Sequence, residues 1–132
     1  MAKKNPVFRI IISFAILAVG LIFSHVKQQY AEKTLKESAS KLKILPEHRI
    51  MLSRYYEGEK QVNIAFDFTG FDREERKFKE YQTRYLASIK TMACKSKVLK
   101  NYYHSQKSVV IDLRLKNQNF GNLVLSSFEC RK

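Results

Sequence analysis

The chain has 132 residues, of which 45% are apolar, and it contains nine Phe and seven Tyr but only four Gly and two Pro. This composition is that of a folded protein and excludes a disordered tail, while the length excludes two sizeable hydrophobic cores. The formal net charge of +13 favours an acidic partner.

The first 26 residues begin with basic residues and continue as an apolar run. Lys3, Lys4 and Arg9 precede Ile10–Phe23, which is the pattern of a segment addressed to a membrane. The run is shorter than the roughly 20 residues that a spanning helix requires. Because the pattern continues as a polar helix, we expect residues 1–26 to form an uncleaved signal-anchor, a single-pass membrane helix. The alternative is a cleaved signal peptide that releases a secreted form.

Residues 27–45 form a polar segment before Pro46. Its apolar positions, Tyr30, Leu35, Ala39 and Leu42, make a thin stripe among many charges. A stripe of this kind is typical of a solvated helical stalk, and the alternative is a helix that docks on the following domain or on a partner.

Residues 46–132 predict one α+β domain. Ile50–Tyr56 predicts a first strand, and Val62–Phe68 alternates apolar and polar residues as a half-buried strand does. Asp72, with Glu75 three residues later, predicts the N-cap of a helix. The apolar stripe of this helix consists of Phe78, Tyr81, Tyr85, Ile89 and Met92. We expect this stripe to pack on the sheet.

The last third of the chain predicts a hairpin. Val109–Leu115 and Leu123–Phe128 are the two strands, and Lys116–Gly121 is the connecting turn. Lys95–Lys107, before the hairpin, predicts a short second helix or an irregular basic loop. The predicted fold is therefore α+β, with an N-terminal membrane helix followed by a small antiparallel sheet on which one main helix packs.

The only two cysteines predict one disulfide. Cys94 lies near the end of the predicted main helix, and Cys130 lies at the end of the last predicted strand. Closing this loop stabilises a small domain by about 3–4 kcal/mol in the chain-entropy model. Disulfides persist in oxidising compartments, so we expect the N-terminus in the cytoplasm and residues 46–132 in the periplasm. Large downstream domains cross a membrane largely regardless of charge.

Together these elements resemble a group of small exported bacterial envelope proteins of unknown function. The matching features are Leu45-Pro46 before a strand, the alternating Val62–Phe68, a helix that ends near Cys94, a turn containing Leu99, and a hydrophobic hairpin followed by Cys130. The resemblance covers about 85 residues. It implies an envelope domain closed by a single disulfide, and it implies no activity.

The sequence offers little for catalysis or metal binding. Pairing consumes both cysteines, and no close-spaced pair of ligands joins them with His104 into a metal site. Asp67 and Asp112 occupy outward positions of strands, where solvation explains them. We expect no enzyme activity and no cofactor, and a small envelope hydrolase is the enzymatic alternative.

A basic segment around two tyrosines is the predicted binding patch. It comprises Lys95, Lys97, Lys100, Tyr102, Tyr103 and Lys107. Outside the cytoplasm, the anions within its reach are membrane lipid phosphates, acidic glycans and acidic faces of envelope proteins. Nucleic acid is the competing partner, since cations contact phosphates and tyrosines stack on bases. It would require a domain that faces the cytoplasm.

We therefore expect a non-enzymatic, membrane-anchored periplasmic domain that acts by binding, as an accessory part of a bacterial envelope assembly. The alternative function, of a different class, is nucleic-acid binding by a basic membrane protein that faces the cytoplasm.

Overall fold

The computed structural model describes the backbone of residues 6–131 and the side chains of residues 14–16, 18–19 and 26–130. The elements follow the order α1 (Pro6–Ser40), β1 (Arg49–Glu57), β2 (Gln61–Thr69), α2 (Phe78–Lys95), α3 (Lys97–His104), β3 (Ser108–Leu115), β4 (Gln118–Leu125) and a terminal 3-10 turn (Glu129–Arg131). The chain divides after Ala31 into a first unit, which holds most of α1, and a second unit from Glu32 onward.

The predicted N-terminal membrane helix is wrong. Within the described residues, no helix combines the length and the apolar character that crossing a membrane demands. Helix α1 runs for 35 residues, and most of its apolar run Ile10–Phe23 lies outside the residues whose side chains are described. From Lys27 onward the same helix carries charged residues.

The second unit contains a four-stranded sheet in the order β1-β2-β3-β4. The predicted all-antiparallel sheet is wrong, because β2 and β3 pair in parallel, from Gln61 opposite Ser108 to Phe68 opposite Leu115. Helices α2 and α3 form the crossover between these strands and return the chain to the end where β2 began. A crossover of this kind is what parallel pairing requires. The sheet is therefore two antiparallel hairpins joined edge to edge.

The core lies between the sheet and its helices. The predicted alternation is confirmed in both central strands, whose core face buries every second residue: Val62, Ile64, Phe66, Phe68, Val109, Ile111, Leu113 and Leu115. Ala65, on the other face of β2, is buried as well. Leu35 and Ala39 of α1 are also buried, and both belong to the second unit. The alternatives for residues 27–45 were a solvated stalk and a helix docked on the domain or on a partner. The buried side chains of Leu35 and Ala39 agree with docking on the domain.

An aromatic cluster surrounds one buried histidine. Its members are His48, Phe68, Phe71, Phe78, Tyr81, Tyr85 and Phe120. The ring of His48 lies 4.6 Å from that of Phe71 and 4.8 Å from that of Tyr81. Such tilted and edge-on pairs add to the free energy gained by burying the rings themselves.

Gly70 follows the last residue of β2 and directly precedes Phe71 of this cluster. It has a φ of +97°, and a Cβ added here would lie 2.1 Å from the carbonyl oxygen of Glu47. Only glycine accommodates both the backbone conformation and the close approach of the segment before β1.

The main helix begins later than predicted. Glu75 donates its N–H to the carbonyl of Asp72 and accepts the N–H of Asp72 with its side chain, but these bonds close a turn. Helix α2 starts at Phe78, after Lys77, which makes no side-chain capping bond. The Asp72 carboxylate pairs instead with Lys116 of the β3–β4 turn.

Candidate binding surface beside the disulfide

The carboxyl end of α2 is held by a disulfide. Tyr81, Tyr85, Ile89 and Ala93 form the buried stripe of α2, and the next residue, Cys94, bonds to Cys130 with a Cα–Cα distance of 5.2 Å. The disulfide expected from the sequence is therefore present. Because the two residues are 36 positions apart, the bond joins the middle of the second unit to the end of the chain.

A capping interaction positions Cys130 after β4. The side chain of Glu129 accepts hydrogen bonds from the backbone N–H and the hydroxyl of Ser126. The hydroxyl bond is the largest cause of the lowered pKa of Glu129. Cys130 in turn donates its N–H to the carbonyl of Ser126, 3.2 Å away. This local turn presents the Cys130 sulfur to α2.

Three of the predicted patch residues lie exposed together, and we call Lys95, Lys97 and Lys100 the lysine patch. Lys95 is the last residue of α2, and Lys97 is the first residue of α3. One short bend at Ser96, with extended backbone, separates the two helices. The lysine patch thus lies at the end of α2 and in α3, directly after Cys94 of the disulfide.

The sequence around the lysine patch carries no negative charge. From Tyr81 to Ile111 there is no Asp or Glu, although the segment contains six Lys and Arg residues, Arg84, Lys90, Lys95, Lys97, Lys100 and Lys107. His104 and Asn101 are exposed on α3 as well. Nothing within this segment neutralises the lysine patch.

Tyr103 belongs to the core and not to the surface. Its side chain is 6% exposed, and its hydroxyl donates to the carbonyl oxygen of Ala93, 3.2 Å away. Burial raises the pKa of Tyr103 to about 12. Leu99, four residues earlier, is buried on the same face of α3. This tyrosine therefore fixes α3 to α2 and offers no ring to a ligand.

Tyr102 and Lys107 are engaged by residues of β1. The Tyr102 hydroxyl donates to Glu57 Oε2 at 3.2 Å, so the Tyr55 hydroxyl, 2.6 Å away, donates to Tyr102. Lys107 Nζ lies 3.0 Å from Glu57 Oε1. Burial is the main cause of the raised pKa values of Tyr55 and Tyr102. Both hydroxyls therefore stay protonated at neutral pH.

The structure thus separates the six predicted patch residues. Lys95, Lys97 and Lys100 are exposed and close in sequence, whereas Tyr102, Tyr103 and Lys107 hold α3 and the following loop to the domain. Glu57, which neutralises Lys107, was not identified from the sequence, because it lies 50 residues away along the chain. Its one signal was its place directly after the predicted strand Ile50–Tyr56.

An apolar surface depression lies beside α2. It has a volume of about 350 Å³ and is lined by Leu42, Ala87, Ser88, Thr91 and Met92. None of these side chains is an acid or a base at neutral pH, so the depression offers no proton transfer. The described part of the chain also contains no group of three His, Cys, Asp or Glu residues placed to bind a metal ion.

Comparisons with known proteins give one structural similarity. No protein-family model matches the chain, and no curated protein matches it either. Among solved structures, the chain is similar to the type II secretion system pilotin AspS from Vibrio cholerae, with a TM-score of 0.48 and 14% identity over 81% of this chain and 98% of that chain. Function is therefore inferred from the residues of this chain itself.

Proposed function

We propose that this chain is a non-enzymatic binding protein of the bacterial cell envelope, and that its lysine patch engages an acidic surface of a partner protein as an accessory part of an envelope assembly. The observation that carries the proposal is the exposure of three lysines close together in sequence, within a segment that contains no carboxylate. Such a surface attracts anionic partners and accelerates their association.

The disulfide supports an oxidising compartment. Cys94 and Cys130 are the only cysteines of the chain, and both are used in the bond. Structural disulfides of this kind form and persist outside the cytoplasm. The acidic partner is accordingly sought among proteins of the envelope.

The exposed groups beside the lysines favour a protein partner over a nucleic acid. Asn101 and His104 lie on α3 with Lys97 and Lys100, so they add directional donors for carboxylates to the charge. Base stacking would need free aromatic faces. Tyr103 is buried, and the hydroxyl of Tyr102 is bonded to two neighbours.

The test replaces three lysines in each of two variants of the full chain. The patch variant carries Lys95→Gln, Lys97→Gln and Lys100→Gln. The control variant carries Lys60→Gln, Lys77→Gln and Lys79→Gln, which removes the same charge from exposed lysines. The control lysines lie among the acidic residues Glu59, Glu74, Glu75 and Glu80. The two variants therefore have equal net charge and different local charge.

The measurement is cross-linking of each protein to envelope proteins in intact cells, followed by identification of the cross-linked partner. We expect the patch variant to give at least about tenfold less cross-linked product than the wild type, and the control variant to give as much as the wild type. Equal loss in both variants would show that net charge alone drives association and would contradict the proposal. Binding of the patch variant and the wild type to vesicles of an anionic phospholipid and to single-stranded DNA completes the test. If the patch variant loses binding only to the vesicles or to the DNA, the lysine patch binds lipid or nucleic acid instead.

A further inference from the structure

The apolar depression beside α2 leads towards the lysine patch, and we call it the α2 groove. It has a volume of about 350 Å³, and its lining consists of Leu42, Ala87, Ser88, Thr91 and Met92. Lys95 of the lysine patch follows Thr91 after one helical turn. Residues four positions apart are neighbours on the surface of a helix. The charged end of α2 therefore continues the line of the groove.

Hydrogen bonds fix the two walls of the α2 groove relative to each other. One wall is α2, and the other is the segment around Leu42 that follows α1. The N–H of Ile44 donates to the Tyr85 hydroxyl of α2 at 3.0 Å, and the N–H of Leu42 donates to the carbonyl of Ala39, 3.0 Å away. Ala39 itself is fully buried. The groove is therefore built into the fold.

The lining of the α2 groove is apolar and adaptable. Leu42 and Met92 are half-buried, so each offers part of its side chain to a ligand. The Thr91 hydroxyl donates to the carbonyl of Ala87, 3.0 Å away, so its polar group is used within α2. A methionine thioether adjusts to side chains of different shapes. The groove therefore suits a large apolar side chain.

The residues beside the α2 groove are basic. Exposed Lys41 and Lys43 flank Leu42 on one wall, and Lys95 lies at the carboxyl end of the other. The two wall segments, residues 38–46 and 81–95, contain no Asp or Glu. This charge attracts an acidic partner and repels a second copy of the chain, whose net charge is +13.

Carboxylates lie farther along the chain. Glu80 pairs with Arg84, 3.8 Å away, in the amino-terminal half of α2. Glu37 and Glu47 each lie five residues from Leu42, whereas two lysines are its direct neighbours. The charge next to the groove is therefore positive.

The length of the α2 groove selects a side chain over a lipid tail. Residues 87–92 of α2 extend over roughly 8 Å, at about 1.5 Å of rise per residue. An acyl chain reaches about 15 Å, which is half the thickness of the hydrocarbon core of a bilayer. The groove therefore matches one large side chain that a protein presents.

We propose that the α2 groove holds an apolar side chain of the protein that the lysine patch engages, so that this protein presents a segment in which acidic residues flank one large apolar residue. The proposal rests on the proposed function, because it gives the chemistry of the same partner. The apolar residue is the anchor in the groove, and the acidic residues contact the lysines around it. An apolar centre with a polar rim is the usual anatomy of a protein interface.

Two synthetic acidic peptides serve as probes. Both carry Glu residues on each side of a central position, which is Leu in the first peptide and Ser in the second. Fluorescence anisotropy of the labelled peptides measures their affinity for the full chain. We expect the wild type to bind the leucine peptide at least about tenfold more tightly than the serine peptide, because the leucine side chain leaves water.

The groove variant carries Ala87→Gln and Thr91→Gln, which place two uncharged polar side chains across the lining. Both positions are exposed on α2, and glutamine is a good helix former, so the variant should fold; circular dichroism and thermal unfolding establish this. The matched control is Thr83→Gln, at an exposed position of α2 outside the lining. We expect the groove variant to bind both peptides equally and the control to keep the preference for leucine.

Equal affinity of the wild type for the two peptides, or no binding of either, would overturn the proposal. So would loss of the leucine preference in Thr83→Gln. Binding to vesicles of an anionic phospholipid that the groove variant alone loses, with no leucine preference, would assign the groove to lipid and also overturn the proposal.

The patch variant tests the proposed function separately in the same assay. It should bind both peptides at least about tenfold more weakly than the wild type and still prefer leucine, because its groove is intact. If it binds both peptides as the wild type does, the proposed function fails, whatever the groove variant shows. If it loses both peptides while the wild type has no leucine preference, the lysine patch stands and the groove does not.

Discussion

The two ends of α2 are held to the domain by different interactions. At the amino-terminal half, Tyr81 and Tyr85 pack in the aromatic cluster around His48. At the carboxyl end, the Cys94–Cys130 disulfide and the hydrogen bond from Tyr103 to Ala93 hold the helix. The first end is stabilised by buried rings, whereas the second is held by a covalent bond and a hydroxyl bond beside buried Leu99. The lysine patch lies at the second end.

Two hydrogen bonds meet at the Tyr85 hydroxyl inside the aromatic cluster. The hydroxyl oxygen accepts the N–H of Ile44 at 3.0 Å, and it also hydrogen-bonds to His48 Nδ1, 2.6 Å away, in a direction set by the imidazole tautomer. His48 is 1% exposed, and desolvation is the main cause of its lowered pKa, with Glu47 and Glu75 opposing this shift. Burial therefore favours the neutral imidazole. The two bonds also join the segment before β1 to α2.

Removing the disulfide tests the carboxyl end of α2 and should have the largest effect. Cys94→Ser with Cys130→Ser should lower the free energy of unfolding by up to about 4 kcal/mol, because the unfolded chain regains the entropy of an open loop. Urea unfolding measures this change, and the oxidised wild type is the reference. In amide hydrogen exchange of the variant, α3 should lose more protection than the aromatic cluster. Equal loss at both ends of α2 would mean that they are not separate attachments.

Removing the hydroxyl of Tyr85 or of Tyr103 compares how much the two ends of α2 contribute to the free energy of unfolding. Tyr85→Phe leaves His48 Nδ1 and the Ile44 N–H without their partner, which should cost about 2–3 kcal/mol. Tyr103→Phe removes one bond to a carbonyl and should cost about 1 kcal/mol. Tyr56→Phe, at a tyrosine that is 64% exposed, serves as the control and should change stability by less than about 0.5 kcal/mol. Urea unfolding measures the loss of stability in each of the three variants. A larger loss for Tyr103→Phe than for Tyr85→Phe would contradict the expected order.

Between pH 7.5 and 5, acid should weaken the amino-terminal end of α2. The folded pKa of His48 lies below its unfolded value of 6.5, so the unfolded chain binds the proton more readily. The stability that His48 contributes is complete above pH 6.5 and is lost as the pH falls through and below that value. The slope cannot exceed about 1.4 kcal/mol per pH unit for one proton. Unfolding of His48→Gln between pH 7.5 and 5 should lack this component; an identical pH profile would assign it to another group.

Local sequence patterns predicted most of the elements but not how they are arranged. Alternation identified β2 and β3, because each strand has one face in the core. It carries no information on strand direction, so the parallel pairing of β2 with β3 was not predicted. The Asp72 and Glu75 pattern predicts a helix start, but Asp72 pairs with Lys116. This pairing joins distant segments of the chain, so no local pattern contains it.

The candidate site was predicted only in part for the same reason. Lys95 is exposed at the end of α2, and Lys97 and Lys100 are exposed in the first half of α3. The spacing of Leu99 and Tyr103 on α3 is the signal that places Tyr103 in the core. The neutralisation of Lys107 by Glu57, in contrast, joins residues far apart in the chain, and no local pattern contains it.

The parallel pairing at the centre of the sheet also sets the order in which the protein can fold. Each hairpin joins neighbouring segments, so it closes a short loop at little entropic cost. The pairing of Gln61 with Ser108 must wait until the whole helical crossover has been made. Contacts between distant parts of a chain slow folding, so docking of the two hairpins should be the slow step. Until the second hairpin arrives, β2 exposes a bare strand edge, and an emerging chain cannot complete its core before nearly all of it is available.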